Sequence, residues 1–162
     1  MNIAIIIDCW KDTPTTLHHI ILSKIFRSTR FVYLNIKKFL SSDLIDVIII
    51  SSYDDKDTTP TILNIDKKKF FFLHEEQLIE FLKNNSVKNI YMCGCAWDSC
   101  VRDRPLGYLN VYKIINSLNL DISVLVKYNC VKNLDDTYFV KSKNDDWVKT
   151  SVKNIFKYYP KC

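Results

Sequence analysis

Three cysteines, Cys93, Cys95 and Cys100, fall within the stretch YMCGCAWDSCV, where a short apolar run ends at Gly94. Far upstream, the run IAIII closes on Asp8, and midway along the chain Lys67, Lys68 and Lys69 precede Phe70, Phe71 and Phe72. An acid, a lysine and a cysteine make a coherent reactive set. The thiolate is the nucleophilic form of cysteine, and its free pKa is ~8.5. Cys100 is expected near the start of a helix, where unpaired N–H groups favour an anion. Asp8 is suited to take the thiol proton and later return it to a leaving group. A lysine beside both favours the charged form of each. Backbone N–H groups between Gly94 and Cys100 suit a tetrahedral oxyanion, and glycine suits the tight turn that would aim them.

Other chemistries fit less well. C-x-C-x4-C lacks a fourth zinc ligand at usual spacing and has no C-x2-C knuckle. With two glycines in the whole chain, Gly94 and Gly107, neither a G-x-G-x-x-G nucleotide loop nor a G-x-S-x-G elbow is possible. A strand-end aspartate also suits a phosphatase, but the position two residues after Asp8 is Trp10. Asp8 as a helix cap, Trp10 and Trp97 as core aromatics or pocket walls, and Arg102 and Arg104 as anion binders or surface charges all stay open.

The elements that must position these groups follow from hydrophobic periodicity. Continuous apolar runs at Asn2–Ile7, Asp46–Ser51, Asn89–Cys93 and Ile122–Val126 read as buried strands, with a shorter one at Lys69–Leu73. Helices are expected from Thr13-Pro14 through Phe26, over Glu75–Lys83, from Trp97 or Asp98 to an interruption at Pro105 and Gly107, and over Leu109–Leu118. The spacing of Trp147, Val148, Val152, Ile155 and Phe156 predicts a C-terminal helix over Asp145–Tyr158. Tyr53–Asp66 is largely polar and reads mostly as loop. Apolar strands alternating with amphipathic helices imply an α/β fold, with a mainly parallel, Rossmann-like sheet in a three-layer sandwich. Sites in such sheets form beyond the carboxyl ends of the strands.

Composition bounds the function. A chain of 162 residues that is 48% hydrophobic and 25% charged suits one globular domain, 1–162. No apolar run approaches the ~20 residues a membrane span needs, and the start lacks the pattern of a secretory signal. A cytoplasmic location is expected, with reduced thiols and no membrane partner. The net charge of +5 is interleaved with acids, which disfavours a nucleic-acid partner; the Lys67–Lys69 run reads as a solvated lead-in to a buried strand.

At the reactive residues the chain resembles the isochorismatase-like cysteine hydrolases, the superfamily of nicotinamidases and related amidohydrolases. Gly94-Cys95-Ala96-Trp97-Asp98-Ser99-Cys100-Val101 is similar to the family's G-V-A-T-D-V-C-V, with the glycine, alanine, aspartate, cysteine and valine in register. IAIIIDCWKD is similar to its first strand and D-M-Q-N-D, with Asp8 and Asp12 in place, and KKKFFFLHEEQLIEFL follows its lysine, aromatic and helix layout. The resemblance implies Cys100 as nucleophile, Asp8 as base and then acid, and Lys67 as positioning cation, with Lys68 or Lys69 one or two residues away. It implies an oxyanion hole from the Ala96 and Cys100 amides and a cis peptide between Cys95 and Ala96; Trp97 would stand near the mouth of the site, and Trp10, Trp97 and Cys95 are candidates for its lining. It also implies self-association into a homo-oligomer.

The departures refine this. Trp97 replaces the usual threonine, and VRDRPLGYLN stands where the family has an alanine-rich helix. The nicotinamidase branch binds a metal through histidines, but SSYDDKDTTP holds none, and His18, His19 and His74 lie elsewhere. The expectation is metal-independent hydrolysis of a small amide through a Cys100 thioester, with no cofactor. The rival is a retired fold that binds or assembles through the inserted segment.

Overall fold

The computed structural model describes residues 1–8, 30–51, 58, 60–95, 100–132, 137–141, 144 and 146–151. The expected helix from Thr13-Pro14 lies outside them. So do Trp10, Ala96, Trp97 and Asp98.

The sheet is built around β1 (Asn2–Ile7). Its neighbours are β2 (Val47–Ser51) on one side and β4 (Asn89–Cys95) on the other, both parallel to it. β3 (Lys68–Phe71) extends the sheet beyond β2, and β5 (Ser123–Lys132) extends it beyond β4, again in parallel. β6 (Thr137–Lys141) and β7 (Trp147–Ser151) then add antiparallel strands, giving the order β3-β2-β1-β4-β5-β6-β7. The fold is therefore α/β, with five parallel strands as its frame.

β1 reads as an unbroken apolar run because both of its faces are covered. Ile3, Ile5 and Ile7 face one way, Ala4 and Ile6 the other, and all five are fully buried. Ala4 and Ile6 join a cluster with Val32, Ile36 and Leu40 of α1 (Arg30–Leu40) and Ile62 of the short α2 (Pro60–Leu63). Ile3, Ile5 and Ile7 join another with Leu78 and Leu82 of α3 (Glu75–Asn84), Val101 of α4 (Cys100–Asp103), and Val111, Ile114 and Ile115 of α5 (Tyr108–Ser117). Each fully buried isoleucine contributes roughly 1.5–3 kcal/mol relative to exposure.

One expectation needs correcting. The C-terminal helix over Asp145–Tyr158 is overturned where the structure describes it, because Trp147–Ser151 is strand β7, paired with β6 from Lys141↔Trp147 to Thr137↔Ser151. The β-branched and aromatic content of WVKTS suits a strand, and pairing with β6 overrode a helical spacing that rested largely on residues further on. The largely polar region around Pro60 is not all loop, since it holds α2, and α1 has no counterpart among the expected elements.

Candidate active site

The strand order marks a switch point before any side chain is considered. From β1 the chain winds outward through β2 and β3, then returns to the other side of β1 for β4 and β5. The carboxyl ends of β1 and β4 flank this switch point, where α/β sheets open to ligands. Asp8 directly follows β1, and Cys100 opens α4 beyond β4.

Two local features bring these ends together. Gly94 of β4 pairs with Ile7 of β1 and has φ of +120°. A Cβ there would fall 2.0 Å from the Ile7 carbonyl oxygen, so the backbones approach this closely only at glycine. The residue after Ile7, Asp8, takes φ of 52°, a left-handed conformation that aspartate tolerates better than most residues. It is nearly buried, at 8% exposure.

The carboxylate has two neighbours from one helical turn. The Cys100 thiol and the Asp8 carboxylate lie within hydrogen-bonding reach of each other. The Arg104 guanidinium donates to Asp8 Oδ2 through Nε at 3.2 Å, and its Nη2 lies 3.0 Å from the same oxygen. Arg104 also reaches the Cys100 sulfur. The spacing of four residues puts Cys100 and Arg104 on the same side of the α4 turn, and the Arg104 N–H donates to the Cys100 carbonyl at 3.1 Å.

The charges oppose one another at the sulfur. Burial, followed by the Asp8 carboxylate, pushes the Cys100 thiol above its ordinary value, and Arg104 pulls the other way without winning. Burial works against the Arg104 charge, but the Asp8 carboxylate and the Cys100 sulfur outweigh it and raise its pKa. Cys100 is thus held as a neutral thiol against a carboxylate rather than as a ready thiolate.

The lysines stand elsewhere. Lys68 opens β3 level with Val47, and Val47 is level with Ile3 of β1. Lys67 therefore lies at the amino-terminal edge of the sheet, while Asp8 leaves its carboxyl edge, roughly 20 Å away along the strands at ~3.3 Å per residue. Lys68 lies over the Phe70 ring at 5.0 Å. Lys69 Nζ donates to the carbonyls of Ile65 and of Leu63, the latter at 2.7 Å. The structure thus brings Asp8 and Cys100 together and leaves Lys67, Lys68 and Lys69 apart from them. Lys67 precedes β3, and Lys68 and Lys69 are its first two residues, so the motif belongs to the end where the strand begins.

Cys95 is fully buried in the α1-side cluster with Cys93 and Cys130, so it is core rather than a pocket wall. Ala96, Trp10 and Trp97 lie outside the described residues. Among the described residues no group of three or more His, Cys, Asp or Glu side chains is placed to hold a metal ion, and no helix is long and apolar enough to cross a membrane. An open cavity of about 350 Å³ between β3 and α3, walled by Phe70, Phe72 and Phe81, lies at the β3 edge of the sheet, and neither Asp8 nor Cys100 lines it. Comparison with family models, curated proteins and solved structures returned no match.

Proposed function

We propose that this chain is a metal-independent cysteine hydrolase of the isochorismatase-like kind, cleaving the C–N bond of a small amide. The observation that carries the reading is the Cys100 thiol in hydrogen-bonding reach of the buried Asp8 carboxylate, at the switch point of a parallel sheet. Helices packed against both faces of β1 support a three-layer, Rossmann-like arrangement in one domain. Reduced thiols suit a cytoplasmic enzyme, and self-association follows the resemblance alone.

The raised thiol pKa decides how such an enzyme works. Asp8 removes the proton as the Cys100 sulfur attacks the amide carbon, so a thiolate need not accumulate beforehand. The Ala96 and Cys100 amides hold the oxyanion. Asp8 then passes the proton to the departing nitrogen, the C–N bond breaks, and a thioester remains on Cys100. Water attacks that thioester with Asp8 again as base, which releases the acid and restores the thiol.

A second reading has its own support. The thiol shift runs against a pre-ionised nucleophile, and Leu109 in the inserted segment and Tyr112 just after it are exposed at 43% and 51%. A retired fold that binds a partner through α5 fits both facts. The test is a screen of small amides for ammonia or amine release, with mass mapping of an acyl adduct on the Cys100 peptide. Turnover that Cys100→Ala and Asp8→Asn abolish supports the hydrolase. A screen with no release and no adduct overturns it in favour of the binding module.

A further inference from the structure

We propose that Arg104 is the positioning cation of the Asp8–Cys100 pair and that the Arg102–Asn110 segment exists in this chain to hold it there. The inference rests on the reading above only in treating the pair as reactive.

The segment is built around the root of this side chain. The Arg104 N–H donates to the Cys100 carbonyl at 3.1 Å. Its own carbonyl accepts from the Gly107 N–H at 2.7 Å and from Asn110 Nδ2 at 3.0 Å. Pro105 follows directly, which disfavours helical continuation at Arg104 and turns the chain. Val101 and Leu106, on either side, are fully buried in the core cluster against β1. Gly107 closes the turn so tightly that a Cβ would lie 2.8 Å from both the nitrogen and the oxygen of Arg104. A merely solvated arginine needs none of these constraints, as Arg102 shows: it forks onto its neighbour Asp103 at 2.9 and 2.8 Å with both side chains exposed.

The geometry at the other end matches the task. Nε and Nη2 converge on one oxygen, Oδ2 of Asp8, which restricts rotation of that carboxylate. The same guanidinium reaches the Cys100 sulfur, so one cation faces both the base and the nucleophile. It favours the ionised carboxylate before the reaction and the anionic sulfur as attack begins. A lysine could supply the charge but not the planar fork.

The test is the pH dependence of Cys100 alkylation by iodoacetamide, followed by peptide mapping, in wild type, Arg104→Gln, Arg104→Lys and Asp8→Asn. Arg104→Gln should slow alkylation at pH 8 by about five- to tenfold and move the profile to higher pH, since one pKa unit is a factor of ten. Arg104→Lys should recover about half or more of the lost rate, because the charge remains. Arg104→Gln with an unchanged profile and a native circular dichroism spectrum overturns the proposal. If Arg104→Gln does not fold, Asn110→Ala keeps the guanidinium and removes one tether: a two- to threefold slowing supports the role, and an unchanged rate overturns it. The Asp8→Asn arm reads the hydrolase proposal separately, since a Cys100 profile indifferent to Asp8 means the pair itself is not assembled.

Discussion

The Arg104 guanidinium sits against the Asp8 carboxylate, with Nη2 at 3.0 Å and Nε at 3.2 Å from the same Oδ2. The two residues come from the ends of strands that flank the switch point, one directly after β1 and the other one turn beyond Cys100. Asp8 is nearly buried, whereas the Arg104 side chain is 42% exposed, so the pair joins a buried group to one that meets solvent. Because solvent screens the exposed partner, the contact matters more for orientation than for stability.

Asp8→Asn should separate reactivity from catalysis. The Asp8 carboxylate raises the Cys100 pKa, so removing its charge should lower that pKa and speed iodoacetamide alkylation at pH 8. Amide hydrolysis should fall by ~10²–10⁴-fold, because the base is gone. Slower alkylation in Asp8→Asn would mean that the carboxylate does not hold the thiol neutral.

The raised thiol also predicts a stability trend. An unfolded cysteine ionises from pH ~8.5, while the folded Cys100 holds its proton to higher pH. The folded state then binds more protons than the unfolded one, so the contribution is complete below pH ~8.5 and is lost as pH rises through the folded pKa. Urea melts should show wild type losing stability relative to Cys100→Ala as pH rises above about 8.5. A constant gap would mean the thiol is not shifted upward.

Gly94→Ala should be among the most damaging single-methyl additions in the chain. The new Cβ would meet the Ile7 carbonyl at 2.0 Å on a residue with φ of +120°. β1 and β4 would have to separate where they carry Asp8 and lead to Cys100. We expect a loss of at least ~2 kcal/mol in chemical denaturation, from steric strain in the backbone. A change under ~0.5 kcal/mol would show that the strand ends are not held so closely.

Lys67→Ala should leave Cys100 alkylation at the wild-type rate at every pH, and stability within about 0.5 kcal/mol. Lys69→Ala removes hydrogen bonds to the Leu63 and Ile65 carbonyls and should cost about 1 kcal/mol, again without changing thiol reactivity. A shift of the Cys100 profile in Lys67→Ala would return the lysine to the site.

Much of the frame is legible in the residues. β1 matches its expected span, Asn2–Ile7, and the expected strands and helices at Val47–Ser51, Lys68–Phe71, Glu75–Asn84 and Tyr108–Ser117 lie within about a residue or two at each end. These elements bury one or both faces, and burial writes itself into local hydrophobic period. β5 runs on to Lys132, with a register shift opposite Met92 and Gly94, and β6 and β7 form a hairpin at the sheet's edge. Such pairing depends on a partner strand, which no local window contains.

The alternation of buried strands and amphipathic helices, the strand-end position of Asp8 and the need for glycine at position 94 are all written in the residue order. Each is a local property: apolar period, chain direction, or the absence of a Cβ. The identity of the cation beside Asp8 is not local, and it emerges only from the folded sheet. Lys67 precedes its strand and so falls at the opposite edge of the parallel sheet, whereas Arg104 follows Cys100 by one helical turn and is tied back by Gly107 and Asn110. Proximity in space depends on strand order and register, and these are set by the packing of the whole sheet.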